Sequence, residues 1–210
     1  EAWAAGTRVT SVPVLQTTES PNGFFSIGYS PEIPGAYGEY VVMSAPFLLK
    51  VADNVSNELA ATTEPCAVGL HAVREAKIEP PNTALVMGAG PIGLMTLLWL
   101  KKEGVRYVAV SDFSPERRAL AAQLGADNVF DPKEVILAEA LDAELKGLPA
   151  VEGGPASYGG PATTAAPDFV FECVGVNGTL QQAMELVQMR GTVVVVGVCM
   201  QPDTIMPMTG

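Results

Sequence analysis

The sequence predicts an α/β chain, most of it a parallel sheet wound on both faces by helices. Short, nearly wholly apolar runs (TALVMG, YVAVSD, DNVF, DFVFECVG and GTVVVVGV) alternate with longer helical segments from residue 83 onward. Strands that are apolar on both faces are those a parallel sheet buries beneath helices. The helical segments carry their own start and stop signals, such as Ser114-Pro115-Glu116 and Gly104. Residues 1–55 read differently, as β and loop, so the chain is expected to divide into domains at 1–55 and 56–210.

TRVTSVPV and GEYVVMS are read as strands, and the Pro/Gly/Ser-rich stretch TTESPNGFFSIGYSPEIPGAYG between them as loop. LLKV is one more short strand. Ser56 is a plausible N-cap for a short helix, NELAATT, and Glu64-Pro65 interrupts it, since Pro65 has no N–H to donate and suits a new helix start. PCAVGLHAVREAK is then the second helix. TALVMG leads into a helix over 91–103, with Lys101 and Lys102 near its negative end and Gly104 beyond. YVAVSD is followed by a helix from Ser114 to Gly125, DNVF by PKEVILAEALDAELK, and DFVFECVG by TLQQAMELVQM and the last strand, GTVVVVGV. The segment 148–167, rich in Gly, Pro and Ala, reads as a mobile, exposed loop.

A net charge of −11 argues against a nucleic-acid or anionic-membrane partner, both of which call for a basic surface. The longest apolar run, LMTLLWL, falls short of the roughly 20 residues of a membrane span. Cys66, Cys173 and Cys199 form no CxxC pair, which fits a reducing, cytoplasmic setting. The chain opens without Met in what reads as a strand and closes soon after another, so both ends are expected to be cuts through a larger protein.

Gly88-Ala89-Gly90-Pro91-Ile92-Gly93 is a GxGxxG pattern set between a strand and a helix. In that setting Gly88 permits the tight turn, Gly90 lets backbone approach a pyrophosphate, and Gly93 lets helix and strand pack closely. Phosphates would face the positive helix end. Asp112 closes the next strand, where an acid accepts hydrogen bonds from a ribose 2′-OH and repels a 2′-phosphate, favouring NAD over NADP. Arg117 and Arg118 weigh the other way, because guanidinium groups accommodate a phosphate or stack on adenine. This is the Rossmann arrangement, whose six strands run 3-2-1-4-5-6. Five are counted, so a sixth is expected to cover GTVVVVGV, which is too apolar for a bare edge.

EPCAVGLHAV, VMGAGPIGL, SDFSPERRALAAQLGAD, FECVG and GTVVVVGV together resemble the zinc-dependent medium-chain dehydrogenase/reductases, in particular the sorbitol and threonine dehydrogenase branch. The resemblance implies a Rossmann domain preceded by part of a GroES-like β-barrel, a zinc-dependent, NAD-linked oxidoreductase of secondary alcohols or polyols, and a homodimer or homotetramer. It assigns Gly88, Gly90, Pro91, Ile92 and Gly93 to the pyrophosphate turn, Asp112 to the adenosine ribose, and Arg117 to the flank of the adenine. Val174, Gly175 and Val198 fall on the nicotinamide side. Glu64 matches a glutamate in the zinc's surroundings, although its position near a helix start is also what the helix dipole favours. Cys66 is read as packing and His71, the one histidine, as an interior residue of an apolar helix. The family's other zinc ligands, a cysteine and a Gly-His-Glu motif, have no counterpart here. Two other functions remain open: a non-catalytic dinucleotide-binding module, and a zinc-free NAD(P)H-dependent reductase of the same superfamily.

Overall fold

The computed structural model of the chain describes residues 3–29, 33–149, 165–203 and 205. They group into two compact units, Glu1–Glu64 and Pro65–Gly210. Most of the 148–167 loop lies outside the described residues.

Among the described residues the first unit has four short strands, β1 (Val9–Ser11), β2 (Val14–Gln16), β3 (Phe24–Ser26) and β4 (Leu48–Lys50), paired antiparallel as β1–β4 and β2–β3. The expected strand TRVTSVPV is therefore two strands, broken around Pro13, which has no N–H to give a ladder. Phe24–Ser26 forms a strand inside the stretch expected to be loop. GEYVVMS forms none. Tyr40 and Val42 are largely exposed, and without a partner strand an apolar run has nowhere to place its backbone hydrogen bonds. The Arg8 guanidinium donates to the carbonyls of Ala52 and Val55 and to Asn57 Oδ1, tying the chain's approach to α1 (Asn57–Ala61). Ser56 caps that helix, its hydroxyl accepting from Leu59 N at 3.2 Å.

The helix α2 runs over Thr63–Ala76 and starts two residues before Pro65, which sits in the first turn where its missing N–H costs nothing. Then come β5 (Thr83–Met87), α3 (Pro91–Lys102), β6 (Tyr107–Ser111), α4 (Pro115–Gln123), β7 (Asn128–Phe130), α5 (Leu137–Gly147), β8 (Phe169–Glu172), α6 (Thr179–Leu186) and β9 (Thr192–Val195). The helix expected from Pro132 begins only at Leu137, because residues 132–135 are spent on a turn in which Glu134 N and Val135 N bond Asp131 O. All five strands are parallel, in the order β7-β6-β5-β8-β9. In order of appearance that is 3-2-1-4-5, the predicted doubly wound arrangement.

Alternate residues of the sheet feed two cores. Ala84, Val86, Val108, Val110 and Phe171 pack with Leu97 and Leu100 of α3 and Ala121 of α4. Leu85, Met87, Tyr107, Ala109 and Val170 pack with Leu137 and Leu141 of α5 and with Ala183 and Leu186 of α6. Every residue of β5 and β6 is buried, as strands covered on both faces must be. Carboxylates tie off the N-terminal edge of the sheet. Asp168 Oδ2 accepts from Thr83 N at 2.7 Å and from the Thr83 hydroxyl at 2.9 Å. Asp127 Oδ2 accepts from Val108 N at 2.7 Å and from Lys101 Nζ at 2.8 Å.

No described helix is long and apolar enough to cross a membrane.

Candidate functional site

The C-terminal ends of β5, β6, β8 and β9 deliver the predicted residues to one edge of the sheet. After β5 the chain turns at Gly88, whose φ of 89° only glycine adopts without strain. Space is as tight as conformation there: a Cβ at 88 would lie 2.9 Å from Val174 Cγ2. At Gly93 a Cβ would overlap the Gly88 carbonyl oxygen, so α3 leaves the sheet at a distance only glycine permits.

Gly90 is different. It caps the start of α3 with φ −72° and ψ −178°, which any residue can adopt, and a Cβ built on it meets nothing within 4 Å. Neither backbone nor packing within the chain explains this glycine. The open space in front of it adjoins the N–H groups of the first turn of α3, which have no acceptor inside the helix. Pro91 occupies the first helical position and Ile92 the next, where the Ile92 carbonyl accepts from the buried Thr96 hydroxyl.

Asp112 follows β6 with its side chain only 9% exposed. Its Oδ2 accepts from Ala89 N at 2.8 Å, inside the glycine turn, and its Oδ1 accepts from Ser114 N at 2.8 Å. One carboxylate thus fixes both the turn after β5 and the start of α4. Arg117, more than half exposed, places Nη1 3.8 Å from Asp112 Oδ2. Arg118 is mostly buried. Its Nη1 lies 2.8 Å from Asp131 Oδ2 and donates to the Asp112 and Phe113 carbonyls at 2.7 and 2.9 Å.

On the far side of β5, Val174 and Gly175 follow β8, and Val198 follows β9. Gly175 has φ 72°, and a Cβ there would fall 2.6 Å from Val198 N, so the two loops stack backbone to backbone. The residue that locks them, and that sequence reasoning passed over, is Glu172. It is 2% exposed, and its Oε1 accepts from Val174 N at 2.8 Å and from Gly175 N at 2.9 Å. A Cβ at Gly197 would sit 2.6 Å from Glu172 Oε2, so the neighbouring loop also depends on a glycine. An acid at the end of an otherwise apolar strand, in FECVG, is the signal that could have exposed it. Cys173, next along, has its thiol pushed up to about 12 by burial and stays protonated at neutral pH.

For zinc, the sequence expected only Glu64 from this chain, with the other ligands absent from it. Among the described residues no three of His, Cys, Asp and Glu are grouped to hold a metal ion. Glu64 is exposed in the first turn of α2, and the Cys66 carbonyl accepts from Trp99 Nε1 at 3.0 Å, in keeping with a packing role. His71 corrects the sequence reading: it is exposed, its Nδ1 4.0 Å from Glu75 Oε1. The buried stripe of α2 runs through Gly69, Ala72 and Val73, and residue 71 lies off it. These residues do not make a zinc site by themselves.

The sequence profile of the family described as zinc-binding dehydrogenase matches residues 91–209. The L-idonate 5-dehydrogenase of Vitis vinifera is 33% identical over 180 residues, which are 86% of this chain and 45% of that protein. The sorbitol dehydrogenase of Arabidopsis thaliana is 33% identical over 168 residues, 80% of this chain and 43% of that protein. The chain thus spans less than half the length of either relative. Among solved structures, a Sinorhizobium meliloti 1021 protein described as a zinc-binding dehydrogenase and bound to NADP superposes with a TM-score of 0.79 at 26% identity, covering 99% of this chain and 59% of that one.

Proposed function

The chain belongs to the zinc-binding dehydrogenase family, and from that footing we propose that the protein is an NAD-linked oxidoreductase interconverting a secondary alcohol or polyol and its ketone or aldehyde. The names of the idonate and sorbitol dehydrogenase relatives support this substrate class. In this reading the chain supplies the nucleotide site. The observation that carries it is Gly90, a glycine that the fold does not need beside an open helix start.

Bound there, a nicotinamide nucleotide supplies the hydride donor and acceptor. The chain's own residues bind and orient it. The backbone of Gly90, Pro91, Ile92 and Gly93 faces the pyrophosphate with the positive end of α3. Asp112, fixed by Ala89 N and Ser114 N, keeps acceptor capacity for ribose hydroxyls, and Arg117 flanks the adenine. Val174, Gly175 and Val198 present a wall for the nicotinamide, with Val174 and Val198 both well exposed to receive it. Glu64 is the one carboxylate this chain would bring toward a metal, and no step is derived through it. A homodimer or homotetramer in the cytoplasm completes the reading.

The test is Gly90→Ala. Its methyl group meets nothing in the chain, so thermal stability should stay at the wild-type value while the NADH Kd rises at least about tenfold, the loss of a close backbone approach to phosphate. Unchanged NADH affinity in a folded Gly90→Ala protein would overturn the assignment.

A further inference from the structure

We propose that Asp131 is a specificity determinant for the nucleotide: by holding Arg118 in a buried ion pair, it keeps that guanidinium from answering a 2′-phosphate. The inference rests on the nucleotide site proposed above. Three cations surround the end of β6, and each is engaged. Arg117 reaches Asp112 at 3.8 Å and Lys133 Nζ lies 4.9 Å from the centroid of the Phe113 ring. Arg118 is held hardest, with Asp131 Oδ2 at 2.8 Å and both side chains mostly buried (16% and 12% exposed). Its remaining bonds go to the carbonyls of Asp112 and Phe113, on the main-chain side of the turn, whereas the Asp112 carboxylate reaches the glycine turn. Asp131 is itself fixed, its Oδ1 accepting from Lys133 N at 2.9 Å.

Two acids therefore act on the ribose site in different ways. Asp112 repels a 2′-phosphate directly. Asp131 works through Arg118, whose planar fork would otherwise be suited to bind that phosphate. Neutralising Asp131 leaves an uncompensated guanidinium charge against the Asp112 main chain, next to the carboxylate assigned to the ribose, in a partly desolvated setting where charge interactions stay appreciable.

The experiment titrates wild type and Asp131→Asn with NADH and with NADPH, following nucleotide fluorescence, so that no turnover is required. Wild type is expected to prefer NADH. In Asp131→Asn the ratio of the two Kd values should move toward NADPH by about tenfold, the scale of one newly exposed charge. The double variant Asp131→Asn/Arg118→Gln should return to the wild-type ratio. An unchanged ratio in Asp131→Asn, or a shift that survives loss of Arg118, overturns the proposal and leaves the nucleotide site intact. Failure of the wild type to bind either nucleotide overturns both. If Asp131→Asn does not fold, Arg118→Gln alone decides: an unchanged ratio supports a guanidinium already withdrawn, and a changed one shows that it reaches the nucleotide in the native protein and refutes the idea.

Discussion

Replacing Glu172 isolates the contribution of one buried carboxylate to the loops after β8 and β9. The side chain is 2% exposed and a single oxygen, Oε1, accepts two backbone N–H bonds at 2.8 and 2.9 Å. Hydrogen bonds to a charged acceptor are each worth about 1.5–3 kcal/mol, so the pair amounts to roughly 3–6 kcal/mol. Water entering the space left by Glu172→Ala would satisfy part of the freed N–H groups, which puts the expected loss near the lower end, about 3 kcal/mol. Against a total stability of about 5–15 kcal/mol that is a large fraction, and it corresponds to a fall in Tm of roughly 6–12 °C. Glu172→Gln keeps an oxygen for both N–H groups and loses only the charge, so about 1 kcal/mol is expected. The assay is urea denaturation of wild type, Glu172→Gln and Glu172→Ala, with NADH titration of each. If Glu172→Gln loses as much as Glu172→Ala, the two N–H bonds are not what the carboxylate supplies. If neither loses stability, the lock does not exist.

Four further outcomes are expected. Gly93→Ala forces a methyl group onto the Gly88 carbonyl and should cost at least about 2 kcal/mol as well as nucleotide binding, so stability equal to that of Gly90→Ala would contradict the packing described. Burial pushes the Cys173 thiol from 9.0 and the Tyr107 phenol from 10.0 each up to about 12. The unfolded chain gives up these protons first, so stability present below pH 9 should fall as pH climbs toward 12, and a flat Tm over that window in a thermal scan would refute it. Asp168→Ala strands Thr83 N and the Thr83 hydroxyl between β5 and β8, and chemical denaturation should register a loss of about 2–3 kcal/mol. Lys101→Ala, by contrast, removes an ion pair with Asp127 that is about one-third exposed on both sides, and should change stability by no more than about 1 kcal/mol in the same assay.

The doubly wound sheet was legible because its signals are local: apolar runs of strand length, Ser114 and Pro115 opening α4, and glycines at the turns. Ser114 does cap α4, its hydroxyl accepting from Arg117 N at 3.2 Å. The first fifty residues were read less well. Pairing there joins segments such as Val9–Ser11 and Leu48–Lys50, far apart in sequence, and residues 38–44 showed that an apolar run does not make a strand without a neighbour. At the site, the glycine turn and Asp112 could be found by spacing. Arg118 was in view as a second guanidinium near Asp112, but its pairing with Asp131 was not, and Glu172 showed only as an acid ending an apolar strand, because each acts on groups from other elements or on backbone whose direction only the fold defines. His71 misled for a related reason: its neighbours are apolar, but its position on the helix points away from the stripe that is buried.

The contrast between Gly90 and Gly93 bears on how such a protein can change over generations. Gly93 is guarded by the fold, so a variant there is removed through misfolding whatever the protein is used for. Gly90 has no such guard in the fold, and under the proposed function it is guarded only by the ligand. A lineage released from its nucleotide could acquire a methyl group at this position and pass every test of folding. In descendants of this chain, the residue at 90 would therefore record whether the nucleotide is still in use, while the rest of the turn would go on looking intact.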